Sequence, residues 1–218
     1  MTGTFSHSAL LLLTLTGICA AQTGKVSPLD LPPDSSVPQA VRKILDTKGY
    51  RIALDDGSVA CDIWLRTSVP GPAKKSATDV LYWQLAESTL VGVISFPQAT
   101  TDYRGEAVKA GAYTLRYELL PNDANHLGVA PNRDFLLLVP AASDTDPDKQ
   151  LKFEELVSLS RQATGTRHPG PLSLVQAAGG PPSVSKDDED HWVFSASLKL
   201  ASGENLPFSL VVKGTAPQ

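Results

Sequence analysis

Apolar and polar residues alternate along most of the chain after Tyr50. Tyr50, Ile52 and Leu54 alternate with Arg51 and Ala53, Asp55-Asp56-Gly57 interrupts the run, and Val59, Cys61, Ile63 and Leu65 resume it. A period of two sends successive side chains to opposite faces of a strand, and Asp-Gly between two such runs signals a hairpin. Further strands are predicted around Leu81, Trp83 and Leu85 and over 113–119, 172–175, 192–200 and 206–212, and from continuous apolar runs over 89–96 and 135–139, with a turn at 102–105. The run 89–96 is apolar on both faces, as expected of a central strand. Trp83 and Trp192 sit among Leu and Phe and are assigned to the core.

Two stretches change to helical spacing. Ser36 reads as the N-cap of a helix over 37–48, with Pro38 in its first turn and Gly49 past its end. Leu151, Glu154, Glu155, Leu156 and Leu159 place a second helix over 151–162, with Gly165 beyond it. Strands not separated by regular helices argue against a doubly wound parallel sheet. The expected fold is mainly β: a two-sheet antiparallel β-sandwich of about eight or nine strands with two short helices, forming one domain over 37–218.

The N-terminus has a different pattern. Residues 9–20 are apolar or small, a run of about 12 residues that suits a signal-peptide core and falls short of the roughly 20 needed to span a bilayer. Cleavage after Ala21 places Cys19 and Ala21 at the two small-residue positions the peptidase needs. Residues 1–21 are therefore expected to be a signal peptide, and 22–36, with Pro28, Pro32 and Pro33, a flexible lead-in. The implied address is secreted or periplasmic. Lipid anchoring at Cys19 is the alternative, with bulky Ile18 against it. Once Cys19 is removed, Cys61 is the remaining thiol, and its place on the apolar face predicts a small buried hydrophobe.

Charge narrows the partners. The formal net charge is -4 and charged residues make up 19% of the chain. Lys74 and Lys75 are the one place where lysines adjoin, so no nucleic-acid partner is expected. No later apolar run approaches the length of a transmembrane helix.

The densest polar constellation lies between two strong strands, over 121–134. Asp123, Asn125, His126 and Asp134, joined by His168, carry the oxygen and nitrogen donors that a divalent cation takes, and a metal-dependent, hydrolytic role follows as one reading. The order Asp-x-Asn-x-x-Gly is a fragment of a calcium loop, but Leu127 and Asp134 break the EF-hand pattern. The structural alternative is a turn built by Asn and Asp, pinned by Arg133 on Asp123 or Asp134. A second constellation is the segment 160–169, whose Arg161, Arg167 and His168 suit an anion or, more simply, the C-terminal end of a helix dipole. A third is Trp64 between Asp62 and Arg66 on one strand face, a candidate platform for a carbohydrate. No Gly-x-Ser-x-Gly elbow, His-Glu-x-x-His helix or phosphate-cradling glycine loop is present. The expectation is a non-catalytic binding or structural domain without a cofactor, unless the 121–134 loop holds a divalent metal. A cell-envelope component or a glycan is the expected partner class.

The stretches Gly111-Ala112-Tyr113-Thr114-Leu115-Arg116-Tyr117, Asn122-Asp123 through His126-Leu127-Gly128, and Arg133-Asp134-Phe135-Leu136-Leu137-Leu138-Val139-Pro140 resemble a hypothetical family of uncharacterised exported bacterial β-sandwich proteins. The likeness is best over 90–175. It implies a periplasmic or extracellular sandwich and no particular activity.

Overall fold

The computed structural model describes residues 23–30, 33–72, 79–121 and 130–217. Twelve strands and two helices follow one another: β1 (Lys25–Leu29), α1 (Gln39–Arg42), β2 (Gly49–Ala53), β3 (Val59–Leu65), β4 (Leu90–Phe96), β5 (Thr100–Thr101), β6 (Ala107–Val108), β7 (Gly111–Leu119), β8 (Asp134–Pro140), α2 (Phe153–Thr164), β9 (Gly170–Val175), β10 (Ser183–Lys186), β11 (Trp192–Lys199) and β12 (Asn205–Lys213). Ten strands form one antiparallel sheet in the order β1-β2-β3-β4-β7-β8-β9-β12-β11-β10, while β5 and β6 pair apart as a small hairpin.

The two-sheet sandwich becomes, instead, a single sheet nearly closed into a barrel. Strand β9 makes the join. Its first residues, 170–173, pair with Leu138 to Phe135 of β8, and its last two, Leu174 and Val175, pair with Leu210 and Ser209 of β12. One strand thus belongs to both halves, so the layers are continuous. The far edges meet through a single antiparallel bridge, Thr23 to Ser185. Near-closure reduces the exposed edge that an open sheet presents.

Inward-facing residues of the alternating strands fill the interior. Ile52, Cys61, Ile63, Ile94, Leu115, Tyr117, Leu136, Leu138, Leu174, Phe194, Phe208 and Leu210 are all buried there. The strands apolar on both faces have a second partner outside the barrel. Trp64, Leu90 and Val93 lie against Val37, Val41 and Leu45 around α1. Phe135, Leu137 and Val139 lie against Leu156 and Val157 of α2.

Several elements differ from expectation. Strand β1 occupies the Pro-rich lead-in, pairing all five of its residues with β2. Pro28 is tolerated because β1 is an edge strand, where an N–H is dispensable. Helix α1 is short. After Arg42 the backbone tightens, with Ile44 N–H donating to Val41 and Leu45 N–H to Arg42, and then Asp46 N–H donates to Leu65 and Thr67 N–H to Ile44. Capture by β3 and the residues after it ends the helix before local propensity would. Ser36 caps nothing: Pro38 stands at the N-cap position, and Ser36 N–H donates to Asp34. Gly49 opens β2 and is small because Trp64 Nε1 lies 2.6 Å from where its Cβ would be. The expected second helix forms, shifted by two residues, and Gly165 closes it at φ 69°.

The expected strand around residues 81–85 is absent. Its backbone runs through successive turns in which Tyr82 and Leu85 are buried and Trp83 is 42% exposed, so Trp83 is not a core residue. Trp192 is in the core.

Candidate ligand pocket

A pocket of about 310 Å³ opens where the exit of α2, the turn between β5 and β6, and the outer face of β8 meet. Phe153, Val157 and Arg161 recur every four residues on α2 and so form one stripe along it. Leu120, Phe135 and Pro169 complete the apolar floor. Arg104 enters from the hairpin turn, and Arg161 and Arg167 from the helix end and the segment after it. Glu154 also lines the mouth. Among the described residues, none of the three guanidinium groups has a carboxylate within ion-pair distance.

Polar contacts hold the hairpin against the helix exit. His168 Nδ1 lies 2.6 Å from Glu106 Oε1, and Thr166 Oγ1 donates to Glu106 Oε2. Burial alone would raise the Glu106 pKa, but the hydrogen bonds from Thr166 and His168 outweigh it and leave the carboxyl below its usual value. The turn that presents Arg104 is shaped by Asp102, whose Oδ1 accepts the N–H groups of Arg104 and Glu106, each at 2.9 Å. Asp102 Oδ2 is buried and has no hydrogen-bond partner among the described residues. Burial pushes this carboxyl up to about 6, against the pull of its two backbone donors.

Of the residues singled out on the 121–134 loop, the structure describes Arg133 and Asp134, and it does not bring Asp134 together with His168. Asp123, Asn125 and His126 lie outside the described residues. Asp134 points into the barrel, where it accepts the N–H groups of Leu81 and Tyr82 at 3.2 and 2.8 Å and the Tyr117 hydroxyl at 3.3 Å. Its neighbour Phe135 faces the pocket that His168 lines. Adjacent residues of a strand face opposite ways, so Asp134 and His168 are on opposite sides of the sheet. Among the described residues no group of three or more His, Cys, Asp and Glu side chains is placed to hold a metal. Arg133 pairs with Asp79 at 2.9 Å and donates to Leu120 C=O, not to Asp134. His191 is occupied elsewhere, between Asp187 and the Thr215 carbonyl near the C-terminus.

The carbohydrate platform loses its aromatic face. Trp64 is 3% exposed beneath the α1 segment, Asp62 forms a two-point pair with Arg51 at 2.8 Å, and Arg66 pairs with Asp148 at 2.6 Å. These are three separate environments.

Of the sequence candidates, 160–169 is the segment that reaches the pocket. Its basic residues were visible from the sequence. Arg104 and Glu106 were not, because they lie some sixty residues upstream in a hairpin of two-residue strands whose local pattern announces only a turn. Comparison with known proteins adds no relative: no family model, no curated protein and no solved structure matches this chain.

Proposed function

We propose that this protein is an exported, non-catalytic binding domain and that the pocket at the exit of α2 holds its ligand. The observation that supports this most is the pairing of an apolar floor with three arginines drawn from two separate segments of chain. Binding sites are typically concave, largely apolar and furnished with a few convergent polar groups. The apolar run over 9–20, followed by small residues up to Ala21, supports export. A cation on the 121–134 loop would have to be held without Asp134, whose carboxylate is already engaged inside the barrel.

Two measurements test the reading. The intact mass of protein recovered from the periplasm or medium of an expressing bacterium is expected to correspond to a chain beginning at Gln22; a full-length chain retained in the cytosol counts against export. A fluorinated fragment mixture is then screened by NMR against the purified mature protein. Some fragments should bind, and Val157→Phe, which narrows the pocket, should abolish their binding. A screen without a single pocket-dependent fragment would overturn the assignment.

A further inference from the structure

The geometry points to a small amphipathic monoanion as the ligand, specifically an aryl or medium-chain alkyl carboxylate whose apolar part lies on the floor and whose carboxylate meets the arginines. This inference rests on the binding-domain reading above and names the ligand class of that site. The volume sets the size. At about 30 Å³ per water-sized group, the roughly 310 Å³ of the pocket holds on the order of ten non-hydrogen atoms. That is enough for a phenyl ring or a medium alkyl chain with one head group, and too little for a nucleotide or a long acyl chain.

The floor sets the chemistry of the body. Leu120, Phe135, Val157 and Pro169 offer the ligand apolar surface. Removing a ligand's apolar surface from water there is favourable at roughly 25 cal/mol per Å². An inorganic anion would forgo that gain entirely.

The rim sets the head group. Arg104, Arg161 and Arg167 reach the mouth from the β5–β6 turn, the last turn of α2 and the segment beyond it. Guanidinium groups match a carboxylate by paired N–H donors, a geometry that lysines do not supply. The other charged groups at the mouth limit the ligand's charge. Glu154 is acidic and exposed, and Glu106 is already engaged with His168 and Thr166. The formal charges are three guanidinium groups against the carboxylates of Glu154 and Glu106, an excess of one positive charge that a monoanion balances and a phosphate monoester or dicarboxylate exceeds.

Titration calorimetry on the mature protein tests the inference with four probes: octanoate, 4-phenylbutyrate, 1-octanol and inorganic phosphate. At least one carboxylate is expected to bind saturably with one site per chain, at least tenfold tighter than 1-octanol, with phosphate giving no saturable heat. The double variant Arg161→Gln/Arg167→Gln changes two exposed side chains and should retain the wild-type unfolding temperature. It should weaken carboxylate binding at least tenfold while leaving fragment binding on the apolar floor intact. Octanol binding as tightly as octanoate, phosphate outcompeting the carboxylates, or unchanged carboxylate affinity in the double variant would each overturn the anionic class while leaving the pocket as a binding site. If the fluorinated fragments also fail to bind, the binding-domain reading itself fails.

Discussion

The carboxylate of Asp134 holds the backbone N–H of Tyr82 at 2.8 Å, and that contact plants the Tyr82 side chain inside the barrel. From there the Tyr82 hydroxyl donates to Val175 C=O at 2.6 Å and accepts the N–H of Ser209 at 2.9 Å. Val175 and Ser209 are register partners on β9 and β12, which pair over only two residues. The phenol thus adds a cross-link where the seam is shortest, and its ring meets Phe208 with centroids 5.1 Å apart.

Tyr82→Phe is therefore expected to keep the ring and lose the link. Two backbone groups at the seam lose a partner, which should destabilise the fold by about 1–3 kcal/mol in urea unfolding. Asp134→Ala should cost more, about 3 kcal/mol or above, because it strands two N–H groups and the Tyr117 hydroxyl together. A Tyr82→Phe protein as stable as the wild type would show the seam to be held without the hydroxyl.

Arg116 and Asp144 make the second lock. The buried guanidinium uses all its donors: two reach the Asp144 carboxylate at 2.7 Å each, and the others reach the carbonyls of Ser88, Asp146 and Lys149. This one side chain organises the acidic segment 144–148 against β7. Removing either charge leaves the other buried and unpaired, at about 3–5 kcal/mol. Both Asp144→Asn and Arg116→Lys should lower Tm by roughly 10 °C in calorimetry, the lysine variant because one ammonium cannot serve five sites. A wild-type Tm for Arg116→Lys would refute this account of the segment.

Glu118 predicts a pH effect. Burial raises its carboxyl to about 7, with the charges of Glu87 and Glu154 adding to the rise and the Leu119 N–H opposing it. Below its ordinary value of 4.5 the group is protonated in both folded and unfolded chains and contributes nothing. As pH rises from there, the unfolded chain releases the proton while the native chain keeps it. The native state then binds more protons, and stability falls until about pH 7 and is level beyond. Glu118→Gln removes this penalty. At pH 8 the variant should be more stable than the wild type by up to roughly 3 kcal/mol, and at pH 4 nearly equal to it. An equal difference at both pH values in denaturant titrations would rule out the titration as its source. Asp102 acts in the same direction over a lower window, ending near pH 6.

Cys61 is fully buried, and burial, helped by the charge of Asp62, pushes its thiol far above the usual range. The folded protein should not react with an aromatic disulfide reagent at pH 8, whereas the denatured chain should react fully. The denatured stoichiometry also reports on the leader: one equivalent if residues 1–21 are gone, two if Cys19 remains. Rapid labelling of the native protein would contradict the burial of Cys61.

The sequence determined most of the long strands and the residues on their inward faces, because a side-chain period of two is a property of the local backbone; it missed the edge strands β1 and β10 and placed a strand at 81–85 where the chain turns. It located β2, β3, β4, β7, β8, β9, β11 and β12, and it placed the end of α2 at Gly165, where the chain needs a left-handed residue. It did not determine partners. Asp134 looks like a loop ligand in sequence and is a backbone cap inside the barrel. Trp83 looks like core and is surface, because Asp134 draws the backbone around it into turns. Trp64 looks like a platform and lies under α1, whose length was itself set by β3. Closure of the sheet hangs on β9 pairing first with β8 and then with β12, a choice between strands distant in sequence. The pocket has the same origin. Arg161, Arg167 and His168 were legible as a basic segment, but Arg104, Leu120 and Phe135 join them only through tertiary packing, since periodicity fixes a face and only the completed fold decides what meets it.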